Sequence, residues 1–197
     1  NCKKITLSFL ILFILLAPLA HAKYGQDYKD NKAYAFGAES DFQYRNMWHG
    51  ISQHKGFIIQ PSTWLSTNGI TFELNNNVVL YDSNAQEGLE EIEAALSYQY
   101  EWQYIVMRAG YFQYFYPLSS GGPTTGEVHF YASYSLFDEL TIFTEHFIDV
   151  LEYGGAYFGE AGFMYSAELA KKAELDIYSK VGWGNSKFNS TYIGPSV

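Results

Sequence analysis

The sequence is poor in cysteine and arginine, and each scarcity excludes a class of function. The only cysteine, Cys2, precedes an apolar run that we interpret as a signal, so the mature chain has no disulfide framework and no thiolate chemistry. Arginine occurs only at Arg45 and Arg108, and 12 Lys and Arg side chains face 21 Asp and Glu, for a net charge of −9. Binding of phosphates requires a basic surface, so we expect no nucleic-acid partner.

Motifs for cofactors and metals are also missing from the sequence. There is no Walker or Rossmann glycine pattern, no His-x-His, no HExxH and no cysteine cluster. His49 and His54 lie close together in the stretch Tyr44–Gly56, but their spacing fits no standard zinc site. We therefore predict no cofactor and no metal, and we interpret this stretch as an exposed extracellular loop between two strands.

Only one long apolar run occurs, and it lies at the start of the chain. Lys3 and Lys4 precede the run Ile5–Leu16, and Ala20-His21-Ala22 follows with the small-x-small pattern of a signal peptidase site. This order predicts a cleaved secretory signal over residues 1–22, with a retained anchor as the alternative. Residues 23–197 then form a single domain, since no linker or charge block interrupts them.

Aromatic residues are abundant, at 19% of the chain, and they alternate with polar residues. In the segment Glu91–Trp102, Ile, Ala, Leu, Tyr, Tyr and Trp occupy one face, and the other face is polar. This period of two is typical of a strand with one apolar face. A turn or two of helix over Ala85–Leu96 is the only competing prediction. The same alternation predicts nine strands, Tyr34–Tyr44, Phe57–Leu65, Ile70–Tyr81, Glu91–Trp102, Tyr104–Tyr116, Glu127–Leu136, Thr141–Leu151, Ala156–Glu168 and Glu174–Trp183, and the start of a tenth at Ser190–Val197.

The lengths of strands and connections favour a membrane barrel. The predicted strands exceed the five or six residues usual in globular sheets and match the nine to eleven needed to cross a bilayer. Long connections (Arg45–Lys55, Asp82–Glu90, Pro117–Gly126) alternate with tight turns (Ser66–Gly69, Gln103, Phe137–Glu139), as in outer-membrane proteins, and only Glu152–Gly155 departs from this rhythm. We predict an all-β, antiparallel, up-and-down transmembrane β-barrel of about 10–12 strands, of which nine or ten are present here. Because bacterial barrels have even strand numbers, we expect the chain to continue beyond Val197.

The two faces of such strands predict two sets of site residues. Charged side chains are unfavourable in lipid, so we place them in the lumen; the predicted lumen residues are Glu39, Asp41, Arg45, Glu73, Glu91, Glu93, Arg108, Glu127, His129, Glu145 and Glu160. Tryptophan and tyrosine near strand ends are typical of membrane interfaces; the predicted interfacial residues are Trp48, Trp64, Trp102, Tyr104, Tyr116 and Trp183.

Two segments resemble a known family. R-N-M-W-H-G-I-S-Q is similar to the Arg-Gly-Ile-Ser-Gln loop that follows the first strand in proteobacterial outer-membrane barrels described as porin-like or conserved hypothetical proteins. T-G-E-V-H-F-Y-A-S-Y-S-L-F-D-E-L-T-I-F resembles a later strand, turn and strand of that family. The sequence departs from the family at His49, where arginine is common. The resemblance implies a barrel in the Gram-negative outer membrane, surrounded by its lipid and inserted by the barrel-assembly machinery, but no particular substrate.

The function that we expect is a small porin-like channel with an acidic, cation-preferring lumen that passes small cations or solutes. A narrow barrel plugged by its own ion pairs is equally compatible with the sequence. An outer-membrane enzyme acting on lipid or envelope substrate is a weaker alternative, because His129 and Ser133 lie about 13 Å apart on one strand. A secreted soluble barrel that holds an apolar ligand on an inward aromatic face is the third.

Overall fold

The protein is described here by a computed structural model, which covers residues 34–82, 87–117, 123–170 and 173–194. The predicted signal over residues 1–22 lies outside this range, as do the side chains of Arg45 and His54. Nine strands make up almost all of the structure: β1 (Ala35–Trp48), β2 (Ile51–Thr67), β3 (Ile70–Asp82), β4 (Gly88–Trp102), β5 (Ile105–Phe115), β6 (Thr125–Phe137), β7 (Leu140–Asp149), β8 (Tyr157–Ala170) and β9 (Ala173–Gly184).

The nine strands form a single antiparallel sheet in chain order, β1 to β9, which curls into a half-barrel. Each strand pairs with the strand that follows it in the sequence. The predicted all-β, antiparallel, up-and-down architecture is confirmed, and so is the position of each of the nine strands to within a few residues. Within the described ranges, no helix has the length and apolar character needed to span a bilayer.

The polar face of the sheet lies inside the curl. Register places Glu39 opposite Ser62, Ser62 opposite Asn75, and Asn75 opposite Glu93, so one polar face continues from β1 to β4. Every buried strand side chain lies on this face, and the buried set includes carboxylates and a histidine: Ile58, Val79, Ala95, Tyr114, Thr125, Glu127, His129, Ser133, Phe143, Asp149, Phe158 and Glu160. We call it the concave face.

The opposite, convex face carries large apolar side chains that remain exposed. They include Phe36, Phe72, Leu96, Phe130 and Phe163, each more than 40% exposed. In a water-soluble sheet the aromatic side of an alternating strand packs inward, and here it faces outward. The concave face also carries aromatic side chains, among them the buried Tyr114, Phe143 and Phe158.

The first connection differs from the prediction. The segment Arg45–Lys55 is not a loop, because β1 continues to Trp48, β2 begins at Ile51, and only His49 and Gly50 form the turn. Their φ angles of 47° and 77° are both positive, as are those of Asn68 (48°) and Gly69 (81°) in the turn between β2 and β3. Both are two-residue turns of the kind that matches the twist of a hairpin. The other two predicted long connections are confirmed, between β3 and β4 at 83–87 and between β5 and β6 at 116–124, and the connection between β7 and β8 at 150–156 is longer than the predicted Glu152–Gly155.

The predicted start of a tenth strand at Ser190–Val197 is wrong over Ser190–Ile193, and residues 195–197 lie outside the described residues. Residues from Ser186 to Phe188 form a short helix, α1, and Asn189–Ile193 continue it as a π-helical turn. The Asn185 side chain caps α1 by accepting the backbone N–H of Phe188 at 2.8 Å. We call these two elements together the helical segment. It buries Phe188 against Ala156 and Phe158 instead of extending the sheet.

Candidate functional site: the concave face

The structure places the predicted lumen residues together. Register and burial assign ten of the eleven to the concave face, namely Glu39, Asp41, Glu73, Glu91, Glu93, Arg108, Glu127, His129, Glu145 and Glu160. For Arg45 the structure gives only the backbone, which pairs with Lys55. A single acidic surface therefore extends along the inside of the sheet.

A chain of amides and carboxylates crosses the first four strands. Gln43 on β1 donates to Gln60 on β2, and Gln60 donates to Asn77 on β3. Asn77 donates to a carboxylate oxygen of Glu91 on β4 at 2.7 Å. Gln60 and Asn77 were not among the predicted lumen residues. Both could have been predicted from the sequence, because they occupy polar positions of alternating strands.

A parallel contact holds the neighbouring carboxylate. The Asn75 side chain donates to Glu93 at 2.7 Å, two residue pairs further along the same strands. Neither Glu91 nor Glu93 forms an ion pair within the described residues. Asn77 donates to Glu91 and Asn75 to Glu93, and a neutral amide supplies no positive charge.

Buried carboxylates on β6 and β7 support the loop between β7 and β8. The hydroxyl of Tyr114 donates to Glu127 at 3.0 Å, and the hydroxyl of Thr125 donates to Asp149. Asp149, which is fully buried, also accepts the backbone N–H groups of Leu151 at 2.9 Å and Tyr153 at 3.0 Å. Four donors therefore stabilise two carboxylates at the end of the sheet where the long connections lie, which we call the loop end.

In the middle of β6 to β9, two glutamates contact basic side chains. His129, 2% exposed, approaches a Glu145 oxygen with Nε2 at 2.6 Å, and Lys180 donates to Glu160 at 2.7 Å. Glu145 and Glu160 face each other across β7 and β8; Lys180 is the cationic partner of Glu160, and Glu145 contacts a ring nitrogen of His129. The guanidinium of Arg108 lies 5.1 Å from the ring centre of Tyr131, a cation–π distance.

The tip of the first hairpin enters the concave face at the loop end, contrary to the predicted exposed loop. The ring of His49 lies 4.5 Å from that of Phe147 and 4.2 Å from that of Phe158. Its Nε2 is 3.8 Å from a carboxylate oxygen of Glu127, and its side chain is 8% exposed. Trp48 packs against Phe188 of the helical segment. Sequence reasoning missed these contacts because they join distant parts of the chain.

The predicted interfacial aromatics divide into two groups. Trp102, Tyr104 and Trp183 are exposed, Trp102 and Tyr104 beside the turn between β4 and β5, and Trp183 near the loop end of β9. The other three lie elsewhere. Trp48 packs against the cluster of Ala156, Phe158 and Phe188. Trp64 lies on the concave face opposite Gly37 and Glu73, and Tyr116 is partly buried. Alternation alone could not place Trp48, since two irregularities interrupt β1 before it.

The structure also locates the residues of the enzyme alternative. His129 contacts Glu145 and stacks on Phe147, with ring centres 4.7 Å apart. Ser133 lies four residues further along β6, opposite Val106 and Phe143. Across the described residues, no group of three or more His, Cys, Asp and Glu side chains has the arrangement of a metal site.

Comparison with known proteins adds no further assignment: no family model, no curated protein and no solved structure matches this chain.

Proposed function

We propose that this chain forms an outer-membrane β-barrel that acts as a small porin-like channel with an acidic, cation-preferring lumen, in line with the family that the first hairpin resembles. The observation that carries the proposal is the inverted polarity of the sheet. Exposed aromatic and aliphatic side chains cover the convex face, and Glu127, His129, Asp149 and Glu160 are buried on the concave face. Strands of this kind suit a lipid exterior and a polar interior.

Further support comes from strand length and sorting of connections. Every strand has ten or more residues, which suffices for a tilted crossing of the hydrocarbon layer. The turns at Asn68-Gly69, Gln103-Tyr104 and Asp138-Glu139 lie at one end of the sheet, and the longer connections lie at the other, together with the short turn at His49-Gly50. Short turns on one side of the membrane and longer loops on the other are usual in such barrels.

Solubility and electrophoresis test the membrane part of the proposal. The protein should be extracted from membranes only with detergent. On a gel, the unboiled folded protein should migrate differently from the boiled, unfolded protein. A chain recovered in soluble form without detergent would contradict the proposal.

Ion selectivity tests the channel part. In planar bilayers, the double variant Glu91→Gln, Glu93→Gln should conduct with a lower cation-to-anion permeability ratio than the unchanged protein. The matched control is Asp138→Asn, Glu139→Gln, which removes the same charge from the exposed turn between β6 and β7. Equal selectivity in the two double variants would remove Glu91 and Glu93 from the conduction path.

A further inference from the structure

Three carboxylates lie close together near the loop end of the concave face. Glu91 and Glu93 are two residues apart on β4, and Glu93 is opposite Tyr114, whose hydroxyl donates to Glu127 at 3.0 Å. The negative charge of Glu127 acts on both of the other carboxylates. Within the described residues, no lysine or arginine pairs with any of the three. We call Glu91, Glu93 and Glu127 the acidic cluster.

A buried nitrogen without a hydrogen bond points at the acidic cluster. Nε2 of His49 lies 3.8 Å from a carboxylate oxygen of Glu127, which is beyond hydrogen-bond distance, and it has no hydrogen-bond partner among the described residues. The side chains of His49 and Glu127 are 8% and 3% exposed. An unpaired buried polar atom is unfavourable, so binding of a group that pairs with it is favoured. A donor placed between the two atoms would lie within about 3 Å of both.

The groups around this gap suit an organic ammonium ion. A carboxylate oxygen accepts hydrogen bonds, and so does Nε2 of a neutral imidazole with its proton on Nδ1, whereas an ammonium group donates up to three and carries a positive charge. The rings of Phe147 and Phe158 lie 4.5 Å and 4.2 Å from that of His49. Apolar rings beside the gap can pack against the methylene groups of an amine, whereas a hydrated metal ion gains nothing from them.

The other two carboxylates extend the site along the sheet. Glu91 and Glu93 are more exposed than Glu127 and each accepts an asparagine amide at 2.7 Å. Their strand, β4, lies two strand spacings from β6, roughly 10 Å, and side chains inside a curl converge. Two ammonium groups joined by a short carbon chain can span such a separation.

From these contacts we infer that the loop end of the concave face binds a linear diamine. One ammonium group lies between His49 and Glu127, and the other lies at Glu91 and Glu93. The inference names the class of cation that the lumen prefers, and its role in transport rests on the proposed channel function.

Binding to the full chain folded in detergent micelles tests the inference without requiring conduction. At about pH 8, where histidine is ordinarily neutral, isothermal titration calorimetry should show that putrescine binds about tenfold more tightly than butylamine. Butylamine has the same carbon chain and only one ammonium group. If the unchanged protein binds neither amine, or if magnesium chloride at the same concentration displaces putrescine completely, the inference is overturned.

Single substitutions test the buried end of the site. His49→Phe, which retains a ring against Phe147, and Glu127→Gln should each weaken the binding of both amines about tenfold. The matched control Glu168→Gln removes an exposed carboxylate at the other end of β8 and should retain both affinities. A heat-modifiable band for each variant verifies folding. Equal affinities in a folded Glu127→Gln protein and in the control would contradict the inference.

A double substitution tests the second end. Glu91→Gln with Glu93→Gln should lower the affinity for putrescine to that for butylamine and leave the affinity for butylamine unchanged. The matched control, Asp138→Asn with Glu139→Gln, removes the same charge from an exposed turn and should retain the preference for putrescine. Equal effects of the two double substitutions would show that net charge alone attracts the diamine, and the inference would fail.

Current measurements separate this inference from the proposed channel. In planar bilayers, putrescine should reduce the potassium current through the unchanged protein, and Glu127→Gln should require about tenfold more putrescine for the same reduction. A potassium current that putrescine leaves unchanged would contradict the diamine site and support the channel. Putrescine binding in micelles without any current in bilayers would support the site and contradict the channel.

Discussion

At the scale of single residues, the pair between His129 and Glu145 determines how the interior of β6 and β7 is stabilised. His129 is almost fully buried, and its Nε2 lies 2.6 Å from the carboxylate of Glu145. Removing one partner of a buried pair leaves the other with an unfavourable desolvated charge. We expect His129→Phe, which retains a ring against Phe147, to lower the free energy of unfolding by about 3 kcal/mol. Urea unfolding in lipid vesicles measures this change.

A double-mutant cycle separates the pair from ordinary packing. Replacing both partners, as in His129→Phe with Glu145→Leu, should recover much of the stability lost in His129→Phe, because no unpaired charge remains. The control is Ser166→Ala, which removes an exposed hydroxyl bound to Asp176 and should change the stability by less than about 0.5 kcal/mol. Strictly additive effects of the two interior substitutions would show that His129 and Glu145 do not interact.

At the scale of an element, the two glycine-containing hairpin turns differ in what surrounds them. A Cβ atom at Gly69 would lie 2.6 Å from the backbone oxygen of Gln99, whereas one at Gly50 would have no atom within 4 Å. Both positions have positive φ, so alanine should be strained by about 1 kcal/mol at either. We expect Gly69→Ala to destabilise by about 1–3 kcal/mol more than Gly50→Ala, since the turn must also shift away from β4. The difference between their unfolding midpoints in urea measures this excess.

The strands and turns also show which parts of the fold could be predicted from the sequence. Period-two alternation predicted nine strands because each strand has one polar and one apolar face, a property encoded within a dozen residues. It was wrong for Ser190–Ile193, which continue α1 as a π-helical turn, and Phe188 at the end of α1 is buried against Ala156 and Phe158. It was also wrong for His49-Gly50, whose turn geometry resembles that of Asn68-Gly69 but lacks the familiar Asn-Gly pair. The contact of His49 with Glu127 is a tertiary one, and no local pattern encodes it.

At the scale of the whole molecule, the proposed membrane location depends on which face of the sheet curls inward. Alternation alone shows that two faces exist, but the direction of curl follows from packing of all nine strands. Polar groups on the concave face are matched by amides, hydroxyls and cations, so their burial is tolerated. Large apolar side chains cover much of the convex face, where Phe72 and Leu96 are neighbours, and its polar contacts include the hydrogen bonds that join His146, Tyr157 and Trp183. The proposed membrane location supplies the apolar surroundings that this face requires.

Two leucines on the convex face provide a test of those surroundings. Leu96 lies near the middle of β4, Leu136 lies beside the turn after β6, and their side chains are 55% and 45% exposed. In water, arginine at either position should change the free energy of unfolding by less than about 0.5 kcal/mol. In a bilayer, we expect Leu96→Arg to destabilise by about 2–4 kcal/mol and Leu136→Arg by about 0–1 kcal/mol, because the penalty falls towards the interface.

The comparison is made by reversible denaturant unfolding from lipid vesicles, with Leu96→Ala to account for lost apolar contact. If Leu96→Ala destabilises as much as Leu96→Arg, the effect comes from packing and not from charge. If the two arginine variants are equally stable, the centre and the edge of the convex face have the same surroundings, and the sheet does not cross a bilayer. A larger loss at Leu96 than at Leu136 follows only if the strands pass through a layer that is most apolar at its centre.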